Sequence, residues 1–301
     1  MTRIVLATFA CIMGGLCVWS EASAQAAISK RVSYSTPQSK YLDAVATVSG
    51  TLSIPSGKTG KLPAVLILHA SGGVDGTGAP YAADLNKAGI ATYEIEMFGP
   101  GQTLQSHPTV QQNMPHVFGA LEFLAAQPEI DADRVGVMGF SWGGMLAIVS
   151  ATERFTNEFT QGKLKFKAHL ALYPVCWIHS SVIDGSAASS PHKFLQLDRD
   201  AYSRFTGAPV HILAGEKDHY DDPDSCAKFV ADANKASGAA FSQTTYPGAY
   251  HGWDKTKNVE SKSPLAYKGR GGMWAAYVDW RIAEQSRRFA VEFFSKYLPR
   301  P

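Results

Sequence analysis

The sequence predicts an α/β protein built on a mostly parallel central sheet with helices on both faces. Two observations carry this. Short continuous apolar runs, such as Pro63-Ala-Val-Leu-Ile-Leu-His69 and Arg134 to Phe140, read as strands buried on both faces. They alternate along the chain with longer segments whose apolar residues fall at helical spacing, and that alternation implies right-handed crossovers between parallel strands. The 301 residues, 45% hydrophobic and 18% charged, suit one globular domain. Roughly three quarters of the unfolded surface is buried on folding at this size, so neither a metal nor a disulfide is needed to hold the core.

Arg31 to Ser35 and Ala46 to Ile54 alternate with period two and are rich in β-branched residues, which predicts an antiparallel hairpin closed by Pro55-Ser56-Gly57. The Pro63 strand follows, then a helix over Ala82 to Lys87 and a strand over Ile90 to Ile95 that stops at Phe98-Gly-Pro-Gly101. Helical spacing runs from Val110 to Gln127, with Pro128 as the stop. After the Arg134 strand come a helix over Gly143 to Thr152 and strands over Ala168 to Tyr173 and Val210 to Ala214. A helix over Ser225 to Ala236, a strand over Phe241 to Tyr246 and a long amphipathic helix from Met273 to Leu298 complete the series. His179 to Gly207 has no clear period, which suits a functional loop or small lid, or a plain surface excursion.

The first 24 residues read as a secretory leader. Arg3 supplies the positive start, Ile4 to Trp19 is apolar, and Ala22-Ser23-Ala24 is a small-residue cleavage site, so the mature chain would be a single domain from Gln25 to Pro301. The apolar run is shorter than the roughly 20 residues a membrane span needs, and Leu16 before Cys17 does not suit a lipoprotein. The expected location is a periplasm or the outside, with no membrane partner after cleavage. A net charge of +2 with basic residues only in pairs such as Lys30-Arg31 and Arg287-Arg288 argues against nucleic acid. Lys163, Lys165 and Lys167 read as a solvated edge. With Cys11 and Cys17 removed, Cys176 and Cys226 remain, either buried as free thiols or bonded to each other. The strands ending at Tyr173 and Ala214 should be neighbours about 5 Å apart, which favours the bond.

Gly139-Phe140-Ser141-Trp142-Gly143 contains G-x-S-x-G where a buried strand meets a helix, the setting that exposes a serine hydroxyl on a sharp turn. A serine needs a base to take its proton, and the base needs an acid to orient it. Asp218 follows the strand Val210 to Ala214, and His251 follows the strand ending at Tyr246. The order Ser141, Asp218, His251, each at the carboxyl end of a successive strand, is that of α/β-hydrolases. Glu216, Asp221, Asp222 and Asp224 compete with Asp218 as the acid. His69, His169 and His211 sit in or at the ends of apolar strands and read as hydrogen-bonded core histidines; His107, His116, His179, His192 and His219 lack a fitting strand-end setting. An oxyanion hole would take one amide from Trp142 and a second from Ser71, with Ala70 as its neighbouring alternative. No spacing of His, Cys and carboxylates suggests a metal, and no cofactor is called for.

Arg134-Val-Gly-Val-Met-Gly-Phe-Ser-Trp-Gly-Gly144, Leu213-Ala-Gly-Glu-Lys-Asp218 and Tyr246-Pro-Gly-Ala-Tyr-His-Gly-Trp253 resemble the dienelactone hydrolase family of the α/β-hydrolase fold, over about Val45 to Leu298. Leu66-Ile-Leu-His69 and Leu85 to Gly101 resemble that family's third- and fourth-strand regions. The resemblance implies an enzyme acting on small esters or lactones. It also carries a departure: the family's eponymous members use a cysteine nucleophile with a glutamate after the third strand, where this chain has Ser141 and Ala70. Lys255 falls where some relatives carry an arginine for a substrate carboxylate, and otherwise reads as a solvated lysine.

Phe98, Trp142, Tyr173, Trp177, Tyr220, Tyr250 and Trp253 lie near the predicted strand ends. Phe98, Trp177, Tyr220 and Trp253 are the expected walls of an aromatic substrate pocket; about half of the set should simply pack the core. The leading reading is therefore a serine esterase or lactonase acting through an acyl-enzyme on Ser141. Acyl transfer or perhydrolysis on the same three residues, and a silent binding protein on this fold, are the alternatives. The sequence carries no signal for the oligomeric state.

Overall fold

The computed structural model describes residues 27–57, 59–99, 109–189, 197, 199–237 and 240–299. The leader, His107 and His192 lie outside these residues, as do Pro100, Gly101 and part of the segment read as a lid.

The elements in order are β1 (Ala27–Ser35), β2 (Thr47–Pro55), β3 (Leu62–Leu68), α1 (Gly78–Lys87), β4 (Ala91–Ile95), α2 (Val110–Ala125), β5 (Ile130–Phe140), α3 (Trp142–Val149), α4 (Glu153–Thr160), β6 (His169–Leu172), α5 (Cys176–Asp184), β7 (Val210–Gly215), α6 (Ser225–Ser237), β8 (Phe241–Tyr246), β9 (Val259–Ser263), the single turn α7 (Ala266–Gly269), β10 (Gly272–Ala276) and α8 (Trp280–Tyr297). Eight strands form one sheet in the order β1-β2-β4-β3-β5-β6-β7-β8. The β1–β2 and β2–β4 pairs are antiparallel, and every pair from β4 to β8 is parallel. This is the α/β architecture the alternation of apolar runs predicts.

Period two explains how one sheet serves two cores. On β3, Ala64, Leu66 and Leu68 face the helices α2 and α3, while Val65 and Ile67 face α1 and α8. Val137 against Met138 on β5, and Ala171 against Leu170 on β6, divide the same way. Both faces are dry, so these strands read as unbroken apolar runs.

Three expectations change. The long terminal helix does not begin at Met273: that stretch is β10, paired with β9 in a two-stranded ribbon. The helix starts after Asp279, whose carboxylate accepts from the amides of Arg281 and Ile282 at 3.0 and 3.2 Å and so caps it. The His179 to Gly207 segment is not structureless, because it begins inside α5 and returns to the fold where the Thr206 amide donates to the Ala151 carbonyl at 2.9 Å. The helix read as Gly143 to Thr152 ends at Val149, and a further helix, α4, follows.

The loops leaving β6 and β7 are stapled. Cys176, first residue of α5, and Cys226, near the start of α6, form a disulfide with Cα atoms 5.0 Å apart. Among the described residues no helix is long and apolar enough to cross a membrane. The bond closes a 50-residue interval. Its reduction is expected to lower unfolding stability by about 2–4 kcal/mol, read from urea midpoints with and without reductant, and alkylation of the unfolded, unreduced chain should label neither cysteine.

Candidate active site

The parallel registers bring five loops to one edge of the sheet. Leu68 lies beside Gly139, Phe140 beside Leu172, Leu172 beside Leu213 and Gly215 beside Tyr246, so the chain leaves β3, β5, β6, β7 and β8 at neighbouring points. Ser141 is the single residue between β5 and α3. It is held at φ 49° and ψ −108°, a conformation costly for any residue with a Cβ. Two backbone bonds fix it: its amide donates to the Leu172 carbonyl at 2.9 Å, and its carbonyl accepts from the Met145 amide at 2.9 Å. The turn closes only because its neighbours are glycines. A Cβ on Gly143 would stand 2.2 Å from the Leu68 carbonyl oxygen, and one on Gly139 would stand 2.3 Å from the Gly143 carbonyl.

His251 Nε2 lies 2.9 Å from Ser141 Oγ, and His251 Nδ1 lies 2.7 Å from Asp218 Oδ2. The second carboxylate oxygen accepts from the Tyr220 amide at 2.8 Å. Both the imidazole and the carboxylate are buried. With Nδ1–H donating to the carboxylate, the imidazole can turn an Nε2 lone pair toward the serine hydroxyl, the arrangement a general base requires. The loops carrying the two groups are laced together: the Lys217 amide donates to the Ala249 carbonyl at 2.8 Å, and the Gly248 amide to the Glu216 carboxylate at 2.7 Å.

The competing acids are committed elsewhere. Asp222 pairs with Lys268 at 3.0 Å, Asp224 with Lys228 at 2.7 Å, and Glu216 holds the Gly248 amide. Asp221 caps α5, its two oxygens accepting from the amides of Cys176 and Trp177 at 2.7 and 2.8 Å. Burial and the nearby Asp218 charge push the Asp221 carboxyl above the usual carboxylate range, against those two donors. The core reading holds for the strand histidines. His169 donates to the Ala147 carbonyl and His211 bridges Ser242 and Thr244; burial brings both down to about 4. His69 sits between the Ala70 carbonyl and the Met97 amide.

Of the two expected oxyanion positions, Trp142 opens α3 directly after Ser141, and Ser71 lies three residues beyond Leu68, the β3 residue in register with Gly139. The aromatic residues divide. Tyr220 packs 4.6 Å from the His251 ring, and half-buried Phe98 packs against His69 at 4.7 Å. Trp177 is half-buried at the start of α5. Trp253 is not a wall: it has no exposed surface, donates its indole N–H to Ser286 of α8 at 3.2 Å, and packs on Tyr173 and Tyr246. Its place beside His251 in sequence misleads because Gly252, at φ 65°, turns the chain between them.

Trp274 of β10 was concealed by the helical reading of its segment, yet its ring lies 5.4 Å from Tyr220 and 5.8 Å from His251. Lys255 is not a solvated lysine either. It pairs with Asp75 at 2.9 Å and ties the histidine loop to the loop after β3. Among the described residues, the one group spaced like metal ligands is Cys176, Asp221 and Cys226, and its sulfurs are bonded to each other. A cavity lined by Ala27, Thr51, Ala82 and Glu94 shares no residue with the serine site.

The chain matches the model of the dienelactone hydrolase family over residues 48–298. It is 25% identical over 238 residues to a Bradyrhizobium sp. protein named "Probable 2-oxo-3-(5-oxofuran-2-ylidene)propanoate lactonase", covering 74% of this chain and 86% of that one. Among solved structures, the dienelactone hydrolase from Anabaena variabilis superposes with a TM-score of 0.54 at 20% identity, covering 90% of this chain and 99% of its own. A dienelactone hydrolase-like promiscuous phosphotriesterase from metagenomic libraries gives a TM-score of 0.57 at 20% identity, with coverage of 90% and 99%. These structural likenesses show the fold. The turn at residue 141 makes a sharper statement about this chain: Gly143→Ala should lower stability by at least about 3 kcal/mol in urea unfolding, because the new methyl meets backbone that cannot yield. Gly72→Ala, where a Cβ meets nothing within 4 Å, should change it by less than about 1 kcal/mol.

Proposed function

From the premise that this chain belongs to the dienelactone hydrolase family, a family of ester- and lactone-cleaving hydrolases, we propose that it hydrolyses a small carboxylic ester or lactone through an acyl-enzyme on Ser141. The observation that carries the reading is the unbroken line of hydrogen bonds from Ser141 Oγ through His251 to Asp218 at the sheet edge. His251 takes the serine proton at Nε2 as Oγ attacks the carbonyl carbon, and Asp218 stabilises the imidazolium that results. The oxygen that becomes negative is received by the amides of Trp142 and Ser71. The tetrahedral intermediate collapses, breaking the bond to the alkoxy oxygen, which leaves with the proton from His251. Water then repeats the sequence on the acyl-serine and frees the acid. In a lactone the leaving oxygen stays tethered to the acyl group, so one hydroxy acid is released.

The serine has its own partner without the glutamate that accompanies the family's cysteine nucleophile: Ala70 occupies the glutamate's place, and the His251 imidazole stands at Oγ. Tyr220 and Trp274 around His251, with Phe98 and Trp177 beyond, favour a flat apolar acyl group over a charged one. We read residues 1–24 as a secretory leader before one hydrolase domain; the Cys176–Cys226 bond supports an oxidising destination.

Turnover of short p-nitrophenyl esters and simple lactones tests the proposal. Ser141→Ala should lose about 10³-fold or more in kcat while melting at the wild-type temperature, since no core volume changes. Asp218→Asn should fold but hold the wrong imidazole tautomer and lose about 10⁴-fold. Near-normal turnover by folded Ser141→Ala would remove the mechanism.

A further inference from the structure

Three residues after His251, and joined to it through Tyr173, lies a buried polar group that the Ser-His-Asp line does not use. Asp254 accepts from the Tyr173 hydroxyl at 2.5 Å on one oxygen and from the Tyr81 hydroxyl at 2.7 Å on the other. Tyr81 is itself 2.6 Å from Ser286 Oγ, which also accepts the Trp253 indole N–H. Burial raises the Asp254 carboxyl, while the two phenols and the Lys255 ammonium pull it down. Both phenol protons point at the carboxylate, so Asp254 is where this network ends.

Tyr173 is the informative member. It directly follows β6 and is held at φ 39°, and Val175 two residues on is at φ 60°; each is a left-handed conformation costly for a side chain with a Cβ. Such backbone persists only where its surroundings fix it. Here the Tyr173 amide donates to the Leu213 carbonyl at 2.7 Å, its hydroxyl is held by Asp254, and its ring stands edge-on to His251 at 4.8 Å and to Trp253 at 4.8 Å. The imidazole is therefore gripped from three sides: Asp218 at Nδ1, the Tyr220 ring on one flank and the Tyr173 ring on another. Asp218 fixes where the imidazole's Nδ1 points. The bonds at Nδ1 and Nε2 still leave the ring free to tilt about the line through its two nitrogens, and the flanking phenol rings oppose that tilt.

We propose that Asp254 is a positioning residue for His251, acting through Tyr173: its carboxylate anchors the strained tyrosine, and the tyrosine ring sets the plane of the imidazole that faces Ser141. Lys255, the next residue, holds Asp75 on the loop after β3, so the two consecutive side chains tie the histidine loop to Tyr173 after β6, to Tyr81 of α1 and to the β3 loop. The inference rests on the proposed reaction only for its kinetic arm.

The test compares Asp254→Asn, which keeps the size of the side chain and removes its charge, with Tyr173→Phe, which keeps the ring and removes the hydroxyl. Each should lower kcat by about 10- to 100-fold with KM within twofold, the signature of a misplaced reacting group, and the double variant should lose no more than the worse single. The far-downfield proton resonance of His251 Nδ1–H, bonded to Asp218, should broaden in both variants at a temperature well below melting. That signal is read without substrate, so a wild-type protein that turns over no ester would remove the proposed reaction and leave this inference to be decided by the proton alone. Wild-type kcat with an unchanged proton signal in both variants, whatever happens to the melting temperature, would overturn it.

Discussion

The close approach of three backbones at Ser141 is the constraint from which the rest of the site follows. β3, the end of β5 and the start of α3 pack so tightly that Gly143 has the Leu68 carbonyl where a side chain would be. That contact forces the chain from strand to helix in one residue and lifts a hydroxyl clear of the sheet edge. The same proximity brings the start of the loop after β3 beside the turn that carries Ser141. The energy for the strained residue comes from the surrounding core: the strands β3, β5 and β6 are buried throughout at this end, and α3 has no exposed residue.

The other half of the site obeys a different logic. Asp218 and His251 sit in ordinary loops, and their alignment is made by many small ties between loops rather than by one strained turn. Backbone bonds join Glu216 to Tyr246 and Lys217 to Ala249, the Asp221 carboxylate seats α5, and the disulfide joins α5 to α6. Loops positioned in this way have low intrinsic order, so each tie matters to the angle at which imidazole meets hydroxyl.

What was legible in the sequence divides along the same line. The strands were readable because both faces are buried, and the serine because its turn demands glycines in fixed places. Asp218 and His251 were readable from their positions after strands. Signals that act across the chain were not. α5 has no N-cap of its own, since the groups that would mark its start are replaced by Asp221, 45 residues away, and Val175 before it is left-handed. Met273 to Ala276 looks helical on local preference, and its partner Val-Glu-Ser-Lys-Ser on β9 is too polar to announce a strand, so the ribbon and Trp274 were missed together. Trp253 was misplaced because adjacency to a site residue does not say on which side of a glycine turn a ring will fall.

The β9–β10 ribbon and the α7 turn at its tip meet the acid loop through main chain and side chains together, among them the Tyr220–Trp274 ring contact and the Lys268–Asp222 ion pair. The amides of Tyr267 and Lys268 donate to the carbonyls of His219 and Tyr220, and the Ala275 amide to the His219 ring. A seam of amides and carbonyls is indifferent to which side chains flank it. Replacing Trp274 would therefore remove its ring contact with Tyr220 and leave the main-chain bonds to His219 and Tyr220 in place. In mechanical terms the turn at Ser141 is locked by glycines and buried strands, while the ribbon is fastened to the acid loop by a joint whose main-chain half does not depend on the side chains around it.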